Sequence, residues 1–252
     1  MGAKLQTRDL RKSFDKLAAL DGVTLGVEEK KVTILIGPNG SGKTTLINVI
    51  MGLHKPDSGS VIYDSTDVTG WQPHRLYRRG LARTFQIPTL FWDLTVLENI
   101  LVAAKDNPGE SFLKAPIRKT WVKAEEENVA AAGKILDLLG LSDHWNQPAY
   151  QLSGGQMKLL EVGRALMSGA RFLLLDEPIS GVNPTLAHEI FARIIKLRDE
   201  LGITFFIVEH RLDIALSYVD YVHVMAYGKL LASGSPETVV SDDRVIEAYL
   251  GA

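Results

Sequence analysis

The sequence predicts an α/β fold with a mostly parallel sheet, an antiparallel β layer near the N-terminus and an inserted α-helical subdomain. Three observations carry this. Short apolar, partly β-branched runs alternate with stretches of helical spacing, the pattern of a parallel sheet covered on both faces. The first sixty residues depart from that rhythm toward short strands, with Val23, Leu25 and Val27 alternating along one of them. From about Thr95 to Gly140 the pattern turns helical.

In chain order, Val61 to Tyr63, after Asp-Ser-Gly-Ser, adds to the early strands. Val32–Ile36 is a β-branched run ending in Gly-Pro-Asn-Gly, read as a buried strand entering a tight loop, and residues 44–51 follow with helical spacing. Residues 121–139 carry Glu125, Glu126 and Glu127 early and Ile135, Leu136, Leu138 and Leu139 late, which predicts one long helix. Residues 172–175 form a second buried strand, stopped by Asp176-Glu177-Pro178. Asn183-Pro184 opens a helix with Asn as cap and Pro in its first turn. Leu186, Ile190, Ile194 and Leu197 make its apolar face, at steps of 3 or 4. Residues 203–208 and 221–226 are two further strands, joined by a short amphipathic helix through Leu212, Ile214, Ala215 and Tyr218. The most linker-like stretch is 107–111. The chain shows no internal repeat and reads as a single domain over 1–252. About 1–86 and 168–252 form the α/β core with its β layer, and about 87–167 the helical subdomain.

The 252 residues contain no cysteine, which removes disulfide scaffolds, Cys-ligated zinc, iron–sulfur clusters and a thiol nucleophile together. Twenty-eight Lys and Arg against thirty Asp and Glu leave a net charge of -2, so nucleic acid is not an expected partner. No apolar run is long enough to span a bilayer, and the first twenty residues lack the apolar core of a signal peptide, so the expected compartment is the cytoplasm.

Gly37-Pro38-Asn39-Gly40-Ser41-Gly42-Lys43-Thr44 fits G-x-x-x-x-G-K-[ST], with Thr45 next in line. Glycines let backbone N–H groups close around phosphate, and the following helix turns its positive end to the same anion. Lys43 supplies a mobile charge for β- and γ-phosphates, and the Thr44 hydroxyl is a candidate Mg²⁺ ligand. This defines a P-loop NTPase core. The strand before Asp176-Glu177 ends where ligands bind in open α/β sheets. Asp176 is placed to hold Mg²⁺, and Glu177 to accept a proton from an attacking water.

Leu152-Ser153-Gly154-Gly155-Gln156 reads locally as a helix N-cap at Ser153. It also resembles the signature motif of ATP-binding cassette (ABC) ATPases, and the resemblance covers nearly the whole chain. It implies that Ser153, Gly154, Gly155 and Gln156 contact ATP held by a second cassette, in a head-to-tail dimer with two sandwiched nucleotides. It implies that Phe14 stacks on adenine, that Gln86 touches Mg²⁺ and links the core to the helical subdomain, and that His210 holds the γ-phosphate and the attacking water. Lys158 and Arg164 are expected on the solvated face of the signature helix, without a function.

Where the family commonly shows Ser-Ala-Leu-Asp, this chain has Ser180-Gly181-Val182-Asn183, which removes the Asp charge. That variant, Arg83-Thr84-Phe85-Gln86, residues 94–99 and the ending 245–251 are similar to the ATP-binding subunits of branched-chain amino-acid importers. The resemblance implies ATP and Mg²⁺ as cofactors. The implied partners are a second cassette (self or paralogous), two transmembrane permease subunits and, indirectly, a solute-binding protein, with the chain peripheral on the cytoplasmic face of the membrane. Phe91 and Trp92 are read as exposed contacts for a short permease helix, the alternative being packing within the helical subdomain. A non-transport ABC ATPase is disfavoured by the single cassette without a heptad insertion, and a GTPase by the lack of an Asn-Lys-x-Asp segment. An ATPase of an exporter or lipid transporter has the same fold and stays open.

Overall fold

The structure is a computed structural model that describes residues 3–84, 89–105, 108–110, 112 and 115–250. Strands β1 (Ala3–Phe14) and β2 (Leu17–Glu28) form an antiparallel hairpin. Next come β3 (Val32–Ile36), α1 (Lys43–Ile50), β4 (Ser58–Tyr63), β5 (Thr66–Asp67), α2 (Pro73–Arg78) and β6 (Leu81–Arg83). The helical part holds α3 (Val96–Leu101), α4 (Val122–Leu139) and α5 (Gly154–Met167). The core then resumes with β7 (Phe172–Asp176), α6 (Pro184–Leu201), β8 (Thr204–Val208), α7 (Leu212–Ala215), β9 (Tyr221–Ala226), β10 (Lys229–Gly234), α8 (Pro236–Val240) and α9 (Asp243–Leu250).

Two sheets result. One has the order β2-β1-β4-β5 and is antiparallel; the other has the order β10-β9-β3-β8-β7-β6 and is parallel except for its β9–β10 edge. The central strands β3, β7 and β8 are apolar except at Thr33, Thr204 and the terminal Asp176, because both of their faces are covered. On β8, Phe205 and Ile207 join the core beneath α5 and α6, whereas Phe206 and Val208 join a second core with α1 and the antiparallel sheet. On β7, Leu173 and Leu175 face the first core and Phe172 and Leu174 the second, the two-residue period of a strand. This sandwich leaves the loops after β3, β7 and β8 together at the carboxyl ends of three adjacent strands.

The four core strands fall on their expected residues to within one position, and α4 fills 122–139 with Gly140 as its left-handed C-cap. The helical region is less continuous than its composition suggests. Among the described residues, α3 stops at Leu101 and no α-helix intervenes before Val122. Pro108 and Pro116 explain the gap, since each lacks an amide donor and clashes with a preceding helical turn. Of the linker-like stretch, Pro108–Glu110 forms a single 3₁₀ turn, and Asn107 and Ser111 lie outside the described residues.

Candidate functional site

The phosphate loop leaves β3 and enters α1. Gly37 and Gly42 have φ of 151° and 100°, and a Cβ on either would run into a backbone carbonyl, of Met225 or Ala19. Only glycine lets the chain pass there. Lys43 is buried, and its Nζ donates to the carbonyl oxygens of Gly37 at 2.8 Å and Pro38 at 3.0 Å. Its ammonium thus folds back over the loop. Burial lowers its pKa, opposed by the Glu177 and Asp176 carboxylates. Gly37, Pro38, Asn39, Gly40 and Ser41 line an open cleft of about 510 Å³ with His210, Tyr227 and Tyr249. Thr44 is exposed and Thr45 half-buried at the start of α1.

Asp176 ends β7. Its Oδ2 accepts from Arg83 Nη2 at 2.7 Å, and Arg83 Nη1 donates to Asn48 Oδ1 at 2.7 Å. The carboxylate therefore already holds a cation here. Among the described residues no three His, Asp or Glu side chains cluster as a metal cage. A carboxylate and a threonine hydroxyl are nevertheless hard oxygen donors that suit Mg²⁺, which takes few protein ligands and shares substrate phosphates. Gln86, the third expected ligand, lies outside the described residues.

Glu177 begins the next turn in a left-handed conformation, φ 49°, strain that a non-glycine residue holds only when its surroundings enforce it. The enforcing bonds are explicit. The Glu177 N–H donates to Val208 O at 2.9 Å, and its carbonyl accepts from Lys158 Nζ at 3.1 Å. Lys158 also donates to Ser180 O at 2.6 Å. The Glu177 carboxylate Oε1 lies 3.1 Å from His210 Nε2. Glu209 is buried, and its carboxylate accepts from the backbone N–H of Ile179 (2.9 Å), His210 (3.0 Å) and Arg211 (3.4 Å). One carboxylate thus ties the turn after β7 to the turn after β8. Burial raises its pKa, against those three backbone bonds.

Phe14 is 41% exposed, so it is not a core residue; its ring meets His54 edge-on and Lys12 stands over it. Ser153 and Gly154 are exposed at the start of α5, apart from the residues lining the phosphate cleft. Ser153 caps α5 in a reciprocal box with Gln156. Gly155 packs against Leu186, and a Cβ there would collide with that side chain. Asn183 keeps its capping role, with Oδ1 accepting from the Leu186 N–H at 2.9 Å.

Lys158 and Arg164 are not on a solvated face. Lys158 is spent on the Glu177 turn, while Arg164 donates to the Thr89 carbonyl and lies over the Phe91 ring. For Lys158 the reason is periodic, since it shares one face of α5 with Gly155, Leu159, Val162 and Leu166, whereas Arg164 leaves the opposite side toward Thr89 and Phe91. Phe91 and Trp92 are each 47% exposed, against the reading that they pack inside the subdomain. Beside them an apolar groove of about 370 Å³ runs between core residues such as Met51, Leu53 and Tyr77 and the helical residues Ala103, Arg164 and Ala165.

A glycine cradle, a lysine folded over it and an acid pair on the neighbouring strand define a nucleotide-hydrolysing cassette. A family model described as ABC transporter matches residues 20–180, and the chain belongs to that family as an ATP-hydrolysing, ATP-binding subunit. A second model, described as branched-chain amino acid ATP-binding cassette transporter, matches residues 229–252. Among relatives, the chain is 48% identical to the "Probable branched-chain amino acid transport ATP-binding protein LivG" of Archaeoglobus fulgidus, over 98% of this chain and 95% of that protein. It is 49% identical to the protein of the same name from Methanocaldococcus jannaschii, covering 98% and 97%. It is 38% identical to "High-affinity branched-chain amino acid transport ATP-binding protein BraF" of Pseudomonas aeruginosa, covering 98% and 97%. A solved nucleotide-free ATP-binding cassette from an ABC transporter superposes with TM-score 0.85 at 47% identity, covering all of both chains. A dimeric bacterial ABC transporter cassette does so with TM-score 0.74 at 25% identity, over 92% of this chain and 98% of that one.

Proposed function

We propose that this ATPase powers an importer for branched-chain or other hydrophobic amino acids. The observation that carries the substrate class is the nearly full-length likeness to branched-chain amino acid transport proteins at 38–49% identity.

In this reading ATP enters the cleft at residues 37–41, its adenine on Phe14 and its phosphates on the loop amides. Lys43 exchanges the Gly37 and Pro38 carbonyls for β- and γ-oxygens, a swap between acceptors that keeps the ammonium paired throughout. Thr44, Asp176 and Gln86 are the residues that would hold Mg²⁺, whose charge would neutralise the phosphate oxygens. Asp176 would exchange its Arg83 partner for that role. Glu177 takes the proton of the attacking water, and His210, 3.1 Å from Glu177, orients that water and the γ-phosphate. Ser153, Gly154, Gly155 and Gln156 engage the nucleotide of a second cassette.

Closure of two cassettes would move the helical subdomain, about 87–167, against the core. A permease segment seated in the groove beside Phe91 and Trp92 would feel that motion. The chain would sit peripherally on the cytoplasmic face of the membrane; among the described residues no helix is long and apolar enough to cross it.

The test is reconstitution with two candidate permease subunits, a paralogous cassette and a solute-binding protein from the same organism. Leucine, isoleucine or valine should stimulate ATP hydrolysis and accumulate inside vesicles. Lys43→Ala should abolish both. Stimulation by a lipid, or transport outward only, would replace the importer reading.

A further inference from the structure

We propose that His144 is a positioning residue for the signature loop, acting as a neutral imidazole with its proton on Nδ1. It holds Gln156, and through Gln156 the backbone of Ser153, in the orientation that meets the partner cassette's nucleotide.

The proton assignment follows from one group of fixed polarity. The Ser153 backbone N–H can only donate, and it reaches Gln156 Oε1 at 2.8 Å. The carboxamide oxygen therefore faces Ser153 and the NH₂ faces away. That NH₂ lies 3.0 Å from His144 Nε2. An amide NH₂ has no acceptor capacity, so Nε2 must carry a lone pair. A neutral ring with bare Nε2 bears its proton on Nδ1, and Nδ1 lies 3.1 Å from Gln147 Oε1, an acceptor. The relay Ser153, Gln156, His144, Gln147 therefore runs in one direction.

His144 is itself held. It ends a 3₁₀ turn at Ser142–His144, with its N–H donating to Leu141 O and its carbonyl accepting from the Gln147 N–H. The next residues ladder onto the start of α3: Val96 N–H to Gln147 O at 2.9 Å, Leu97 N–H to Trp145 O at 3.0 Å, and Ala149 N–H to Leu94 O at 3.0 Å. Asn99, fully buried, staples that loop by donating to the carbonyls of Phe91, Leu94 and Thr95. The ring nitrogen thus stands on a framework built from the groove side of the subdomain.

This support is needed because the rest of the cap is slack. Ser153 Oγ receives the Gln156 N–H at 3.4 Å, near the limit of a hydrogen bond. Without an acceptor at position 144, the Gln156 carboxamide loses one of its two anchors, and its hold on the Ser153 N–H loosens. The consequence for turnover rests on the reading that Ser153 engages the partner's nucleotide.

The experiment compares His144→Ala and His144→Gln in the assembled transporter, with Ser153→Arg as control. His144→Ala should lower kcat by about fivefold to tenfold, the scale of one lost hydrogen bond, with ATP affinity unchanged. His144→Gln, whose Oε1 can accept in place of Nε2, should restore most of it. Long-range ¹H–¹⁵N spectra of histidine-labelled protein should show the His144 signal, assigned by its loss in His144→Gln, as the Nδ1-protonated form. An Nε2-protonated ring, or wild-type turnover by His144→Ala alongside an inactive Ser153→Arg, overturns the proposal. Normal hydrolysis by Ser153→Arg would instead overturn the two-cassette reading, and the spectra would still decide the tautomer. Should His144→Ala fail to fold, the spectra and the Gln variant carry the test.

Discussion

Glu177 Oε1 and His210 Nε2 meet at 3.1 Å across the ends of two neighbouring strands, β7 and β8. Neither residue reaches that point by its own side chain alone. Glu177 is turned by a backbone at φ 49°, and His210 is set by the Glu209 carboxylate that receives its N–H. Two adjacent parallel strands thus deliver a candidate proton acceptor and its orienting imidazole to one place, at the carboxyl ends where ligands bind in open α/β sheets.

Glu177→Gln should therefore bind MgATP and hydrolyse it about 10²- to 10⁴-fold more slowly, the range expected for loss of a general base. The amide keeps the shape and an oxygen for His210. Light scattering with ATP should show the mutant shifting from monomer to dimer, alone or with the paralogous cassette, while wild type does so weakly. Wild-type turnover, or a mutant that stays monomeric with both partners, would remove Glu177 from its role.

Phe14→Ala should weaken ATP binding by roughly 1–3 kcal/mol, the cost of losing one base–aromatic stack. Stability should change by no more than about 0.5 kcal/mol, because the ring is 41% exposed. Calorimetric titration and thermal melting measure the two separately. A large drop in Tm with normal affinity would make Phe14 structural.

Lys158→Met keeps the stem that packs along α5 and deletes the ammonium that holds the Glu177 and Ser180 carbonyls. The turn then loses two charge-assisted bonds and is free to relax its strain of about 1–3 kcal/mol. We expect kcat to fall about tenfold with ATP affinity unchanged, and denaturant unfolding to show a loss of roughly 1–3 kcal/mol. An unchanged kcat would leave Lys158 as a stabilising contact only.

What could be read from the sequence was what depends on neighbours in the chain. The phosphate loop is one contiguous segment whose glycines answer local backbone demands, and Asn183-Pro184 caps a helix with atoms three residues apart. Core strands such as Phe172–Asp176 announce themselves because burial on both faces leaves four successive apolar residues before the terminal acid. Glu209 had a legible signal too, as an acid directly after the fully buried β8, yet its three amide partners lie on two different turns.

What only the tertiary structure decided was where long polar side chains end. From the sequence alone Lys158 is expected on a solvated face of α5, and only the packed turn reveals its acceptors, carbonyls 19 and 22 residues away. Arg83 reaches Asp176, 93 residues on, and Asn48, 35 residues back. His144 takes its tautomer from Gln156, twelve residues on and across a gap no local pattern spans. Flexible stems let such groups search a wide volume, and the partner is whichever buried acceptor the packed elements bring within about 3 Å. Local chemistry therefore named the phosphate loop and the acid pair, while packing alone chose the bonds that hold them in position.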